Sequence, residues 1–176
     1  MILRMLTAFV LCTSLGPAKP GADLLAWRRT ARLSWNDFKG TPPPQAANAA
    51  LTNSSISLNF SSGSSFSYTI GCHFDQQKSW VRIQNSQVLA HEQGHFDLSE
   101  IYARLLKKAM MQYRYDPATV SRDVQNIYQR MMQELQNRQN EYDQQTDHSR
   151  NEANQRKWLL TIEQELEELE KYRDYE

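Results

Sequence analysis

The pentapeptide His91-Glu92-Gln93-Gly94-His95 constrains this chain more than any other stretch. Two histidines four residues apart lie on one face of a helix, about a turn from each other. That spacing presents two imidazole nitrogens to a single Zn²⁺, and it does so only if the segment is helical. Glu92 then directs its carboxylate beside the metal, where it can deprotonate a bound water. Asn85 or Ser86 can cap such a helix, which is expected to start near Gln87 and run to about Tyr113.

Two imidazoles do not complete a metal shell. A catalytic zinc takes three protein ligands and keeps one position for water. At about 100° per residue, Leu98 and Tyr102 continue the face of His91 and His95, whereas Asp97 and Glu100 point away. The third ligand must therefore arrive from another part of the chain. The remaining histidines are His73 and His148. His148 closes the densest polar cluster outside the helix, Tyr142-Asp143-Gln144-Gln145-Thr146-Asp147-His148, and is the ligand selected here. Asp143 and Asp147 are candidates to orient an imidazole through its far nitrogen, and either can instead be a ligand. Tyr142 is a candidate hydrogen-bond donor to an oxyanion.

The beginning of the chain has the character of a targeting segment. One positive charge in residues 1–4 precedes an apolar run over residues 5–15, and small residues follow at Ala18, Gly21 and Ala22. This reads as a signal peptide over residues 1–22, too short in its apolar part to span a bilayer. The expected location is secreted or periplasmic. Phe9-Val10-Leu11 lacks the small residue that would precede a lipidated Cys12, so a lipid anchor there is disfavoured. After cleavage Cys72 is the remaining cysteine, more naturally a small buried hydrophobe than a nucleophile. Basic and acidic residues number 20 each, so no charge excess points to nucleic acid.

Residues 23–48 carry Trp27, Leu33, Trp35 and Phe38 and end in a proline-stiffened connection at Pro42-Pro43-Pro44. Within residues 49–176, Ile56–Phe60 and Phe66–Ile70 alternate apolar and polar around a serine-rich turn at Gly63, which predicts a hairpin. Ser79–Ile83 reads as a third strand of the same small antiparallel sheet. Helices follow: the one with the two histidines, a second from Asp116-Pro117 to about Glu141, a loop over Tyr142–His148, and a last helix from Asn151 to about Tyr172. Glu163 through Glu170 makes a solvated acidic face. Strands followed by helices define an α+β domain, with residues 23–176 as one globular unit.

Four stretches together resemble a known family. They are Leu33-Ser34-Trp35-Asn36-Asp37-Phe38-Lys39-Gly40; Leu89 through Asp97 with Ile101-Tyr102-Ala103; Tyr142-Asp143-x-x-Thr146-x-His148; and Gln155-x-x-Trp158. The chain resembles the bacterial predicted secreted zinc-dependent proteases catalogued as domain of unknown function 922. Ser149 stands where that pattern leads one to expect glycine. The resemblance implies secretion, a zincin-like fold and a zinc peptidase acting on a peptide or protein, with His91, Glu92, His95 and His148 at its centre. The expected chemistry is hydrolysis of a peptide bond by a zinc-bound water that Glu92 activates. The alternatives are a zinc-binding module without catalysis, or a helical interaction domain of the cell envelope.

Overall fold

A computed structural model describes residues 23–63 and 65–175; the expected signal peptide and Cys12 lie outside them. The predicted hairpin forms. Strand β3 (Ser54–Ser61) pairs antiparallel with β4 (Ser67–Asp75), with Ile56 opposite Cys72 and Leu58 opposite Ile70. This register puts every second residue on one face, so Ile56, Ile70, Cys72 and Phe74 are buried together. Burial also raises the pKa of the Cys72 thiol well above its ordinary value, which leaves it inert.

The third strand of this sheet is not Ser79–Ile83. It is β1 (Leu24–Ala26), which pairs with the other side of β4 and gives the order β1-β4-β3. Trp80–Val81, β5, instead pairs with β2 (Ala50–Leu51) in a separate two-stranded ladder. The reason lies in the turn at Asp75–Ser79. The Asp75 carboxylate accepts the Gln77 and Lys78 amides, and the Ser79 hydroxyl donates to the Asp75 carbonyl and accepts the Asn53 amide. The hairpin is interrupted there and resumes one turn later, so β5 prolongs an arm that local alternation alone makes look like a new strand.

Helix α1 (Ser86–Gln112) spans 27 residues, about 40 Å. The Asn85 side chain accepts the Val88 amide at 2.8 Å and caps it. One side of α1 packs on the sheet: Phe96, Ala103, Leu106 and Met110 join Ile56, Ile70, Phe74 and Phe38. The other side packs on α3 (Glu152–Glu168) and the end of α2 (Val120–Thr146), through Leu98, Ile101, Tyr142, Trp158, Ile162 and Leu166. Helix α1 is thus a central element with neighbours on both sides, and its polar residues must find partners inside the protein.

They do. Asp97 accepts the Trp27 indole N–H at 2.7 Å and the Gln93 amide at 2.8 Å, and pairs with Arg32 at 3.0 Å. Gln93 accepts the Leu33 amide at 2.7 Å. These bonds tie residues 23–38 to α1, so the segment before the prolines is part of the folded unit. On another face, Glu100 pairs with the buried Arg104 at 2.8 Å and accepts the Tyr175 hydroxyl, while Arg104 donates to the Leu166 carbonyl at 2.6 Å. Asp97 and Glu100 point away from the two histidines, as the helical wheel requires.

Helix α2 runs through Thr146, so the loop expected over Tyr142–His148 is largely helix. Val124, Met131, Leu135 and Tyr142 form a stripe along α2 that packs inward, and the last of them is fully buried. Polar composition hid this apolar period. The chain leaves the helix only at Asp147, His148 and Ser149, all with left-handed backbone (φ 49°, 50° and 75°). Asn151 then caps α3 by accepting the Asn154 amide. Among the described residues, no helix is long and apolar enough to cross a membrane.

Candidate metal centre

His91 and His95 project from adjacent turns of α1 toward α2, and their Nε2 atoms lie 3.1 Å apart. The rings are nearly perpendicular, with centroids 4.7 Å apart, so the lone-pair directions converge instead of running parallel. Asp143 on α2 meets them. Its Oδ1 lies 3.1 Å from His91 Nε2 and 3.0 Å from His95 Nε2. Ligand atoms around a tetrahedral zinc stand about 3.3 Å apart, so these three atoms have close to the mutual spacing of such a shell. Among the described residues, this is the group of histidine and carboxylate side chains whose ligand atoms cluster closely enough to hold one metal ion.

His148 takes a different position from the one expected. Its Nδ1 lies 3.3 Å from Asp143 Oδ1, and its side chain is half exposed on the left-handed turn after α2. It borders an open cleft lined also by Asn140, Asp143, Gln144 and Asp147. The structure therefore places Asp143 against both α1 histidines, with His148 meeting the same carboxylate oxygen at the longer distance. Asp147 pairs with Arg150 at 2.6 Å in solvent. His73 lies on β4 opposite Ala26 and Ser55, outside the cluster.

Tyr142 supports the site from within. Its ring stacks on His91 at 4.6 Å and meets His95 edge-on at 5.0 Å, with Trp158 behind it at 5.3 Å. The hydroxyl is buried and donates to the His91 carbonyl at 3.4 Å, facing the α1 backbone and not the cleft. An oxyanion donor would have to face the cleft, so Tyr142 is a packing residue here. Gly94 makes this possible, because a Cβ at that position would stand 2.9 Å from the Tyr142 Cζ. The central glycine of the motif is the dent into which the α2 ring fits.

Burial shapes the charges. It lowers His91 to a pKa of about 4, which keeps that ring neutral, the form a metal requires. Burial also lowers His95, but its hydrogen bond to Asp143 and the charge of that carboxylate outweigh this and leave the pKa raised. Desolvation would raise Asp143, yet the two histidines hold its carboxyl far below the usual range. Glu92 is 4% exposed, and burial raises its pKa above the ordinary value. Its Oε2 has no hydrogen-bond partner. A buried carboxylate oxygen left unpaired is costly unless something is meant to meet it.

One participant escaped the sequence reading. Gln139, one turn before Asp143 on α2, accepts from His95 Nδ1, while its amide donates to the His95 carbonyl at 3.0 Å. The i, i+4 spacing of Gln139 and Asp143 was available in the sequence, but only if Tyr142–Thr146 is read as helix.

The family model described as "Bacterial protein of unknown function (DUF922)" matches residues 30–149. The chain belongs to that family. The matched span runs from the segment held by Asp97 through both α1 histidines to Asp143, His148 and Ser149, and so contains the whole cluster. Comparison with curated proteins and with solved structures found no match.

Proposed function

We propose that the protein is a zinc-dependent hydrolase of peptide bonds, exported from the cytoplasm, with His91, His95 and Asp143 as its metal-holding residues. The carrying observation is the convergence of two Nε2 atoms and one Oδ1 at 3.0–3.1 Å beside a buried, unpaired Glu92 carboxylate oxygen. The donor set fits zinc: two imidazoles and a carboxylate are a known combination for a catalytic site. When bound, the metal would polarise the scissile carbonyl and lower the pKa of a water molecule.

The remaining chemistry falls to the chain. Glu92 accepts a proton from the attacking water and passes it to the leaving amine nitrogen. Its raised pKa moves it toward the operating pH and makes the return of the proton easier. Tyr142 and Gly94 hold α1 against α2, so that residues from two helices keep a fixed separation. His148 lines the cleft beside Asp143, where a substrate could reach it.

Glu92→Gln tests the catalytic part. Zinc stoichiometry is expected to stay at one per chain, while cleavage of a peptide library falls about 10²- to 10⁴-fold. Wild-type protein that binds zinc but cleaves no peptide would sink the peptidase reading. The 3.3 Å approach of His148 to Asp143 favours one other reading. If His148 also ligates, four protein groups close the shell and the site is a structural or storage centre without catalysis.

A further inference from the structure

We infer that Gln139 is a positioning residue that sets the protonation pattern and orientation of His95. This rests on the metal-site reading above, but its key readout does not need a metal. Gln139 is anchored at both ends of its amide. The Nε2 group donates to the His95 carbonyl at 3.0 Å and to the Ser99 hydroxyl at 3.4 Å, and that hydroxyl is itself 2.7 Å from the Ser54 hydroxyl of β3. An amide nitrogen donates only and a carbonyl oxygen accepts only, so the His95 carbonyl fixes which end of the side chain is which. The Oε1 atom is thereby turned to His95 Nδ1, and an amide oxygen can only accept.

The proton must therefore sit on Nδ1. The Nε2 atom is left facing His91 and Asp143, with its lone pair available once its own proton is lost. The two histidines differ in this respect. His91 Nδ1 has no hydrogen-bond partner, and its ring is held by stacking on Tyr142 instead. A link from the sheet through Ser54, Ser99 and Gln139 thus reaches one imidazole of the pair and not the other. The sheet edge, α1 and α2 all contribute to how His95 is aimed.

The test uses the whole metal-free protein, then the zinc- or cobalt-loaded one. Nitrogen-resolved magnetic resonance of the metal-free wild type is expected to show a slowly exchanging His95 Nδ1–H. Gln139→Met should abolish that signal and weaken zinc binding about 10- to 100-fold, the usual cost of losing such a partner. Should Gln139→Met fail to fold, Gln139→Asn, whose amide stops one methylene short, carries the same expectation. Absence of the protected Nδ1–H in wild type, its survival in the variant, or unchanged zinc affinity in the variant would each overturn the inference. If wild type binds no zinc at all, the metal reading fails separately, and the Nδ1–H signal alone decides the role of Gln139.

Discussion

Asp143 Oδ1 lies 3.0 Å from His95 Nε2, although the two residues stand 48 positions apart on different helices. The two imidazoles beside this carboxylate hold its pKa far below the usual range. His148, half exposed, meets the same oxygen at 3.3 Å but is not part of the close cluster of His91, His95 and Asp143.

This geometry ranks the two candidate third ligands. Asp143→Ala should reduce zinc affinity by at least about a hundredfold, more than loss of an orienting partner costs. His148→Ala should cost less than about tenfold under the same comparison. Competition titration against a chromophoric chelator measures both, and the reverse ranking would return the third position to His148.

Zinc binding should weaken as pH falls, because the metal competes with protons for the imidazoles. His95, with its raised pKa, is protonated first and must release a proton. His91, lowered to about 4, has none to release until the solution is much more acidic. Asp143 stays ionised throughout this range. In the His148→Ala variant, affinity between about pH 6 and 5 should therefore fall by one decade per pH unit. Two ordinary histidines would give two decades. A measured slope of two would refute the buried, neutral state of His91.

Gly94 is the tightest steric point of the site. Gly94→Ala would press a methyl group against the Tyr142 ring, 2.9 Å from Cζ and 3.1 Å from Cε1. The ring is fully buried and cannot swing away. The variant should lose about 1–3 kcal/mol in urea denaturation, the usual cost of overpacking. Removing the hydroxyl as well, in Gly94→Ala with Tyr142→Phe, should recover only part of the loss, since the ring carbons still clash. Full recovery would mean that only the hydroxyl mattered.

Ser149 adopts φ 75°, a conformation glycine takes without strain. Ser149→Gly is therefore expected to stabilise the fold by about 0.5–1 kcal/mol, the left-handed penalty less the entropy glycine adds to the unfolded chain. A shift of the denaturation midpoint at constant slope is the measure. Any loss of stability would show that the Ser149 side chain, buried beside α1, contributes more than its backbone costs.

Several elements were readable because their signals are local. Asn85 caps α1, the 54–75 hairpin follows its alternation, and the motif places His91 and His95 on one face whatever surrounds them. Family membership was readable too, because short stretches far apart matched one pattern. Two other elements were not. Ser79–Ile83 alternates like an independent strand, but a side-chain-bonded turn makes it the resumption of a hairpin arm. Tyr142–Thr146 is polar like a loop, but one aromatic ring buried against His91 and Trp158 keeps it helical.

The sequence by itself determined that two imidazoles would share a helical face, because 3.6 residues per turn leaves no choice. Only the tertiary structure decided what faces them. Asp143 and Gln139 reach His95 because Gly94 lets Tyr142 settle against α1 and so sets the distance between the helices. A contact between side chains 48 positions apart depends on packing, and no local period encodes it.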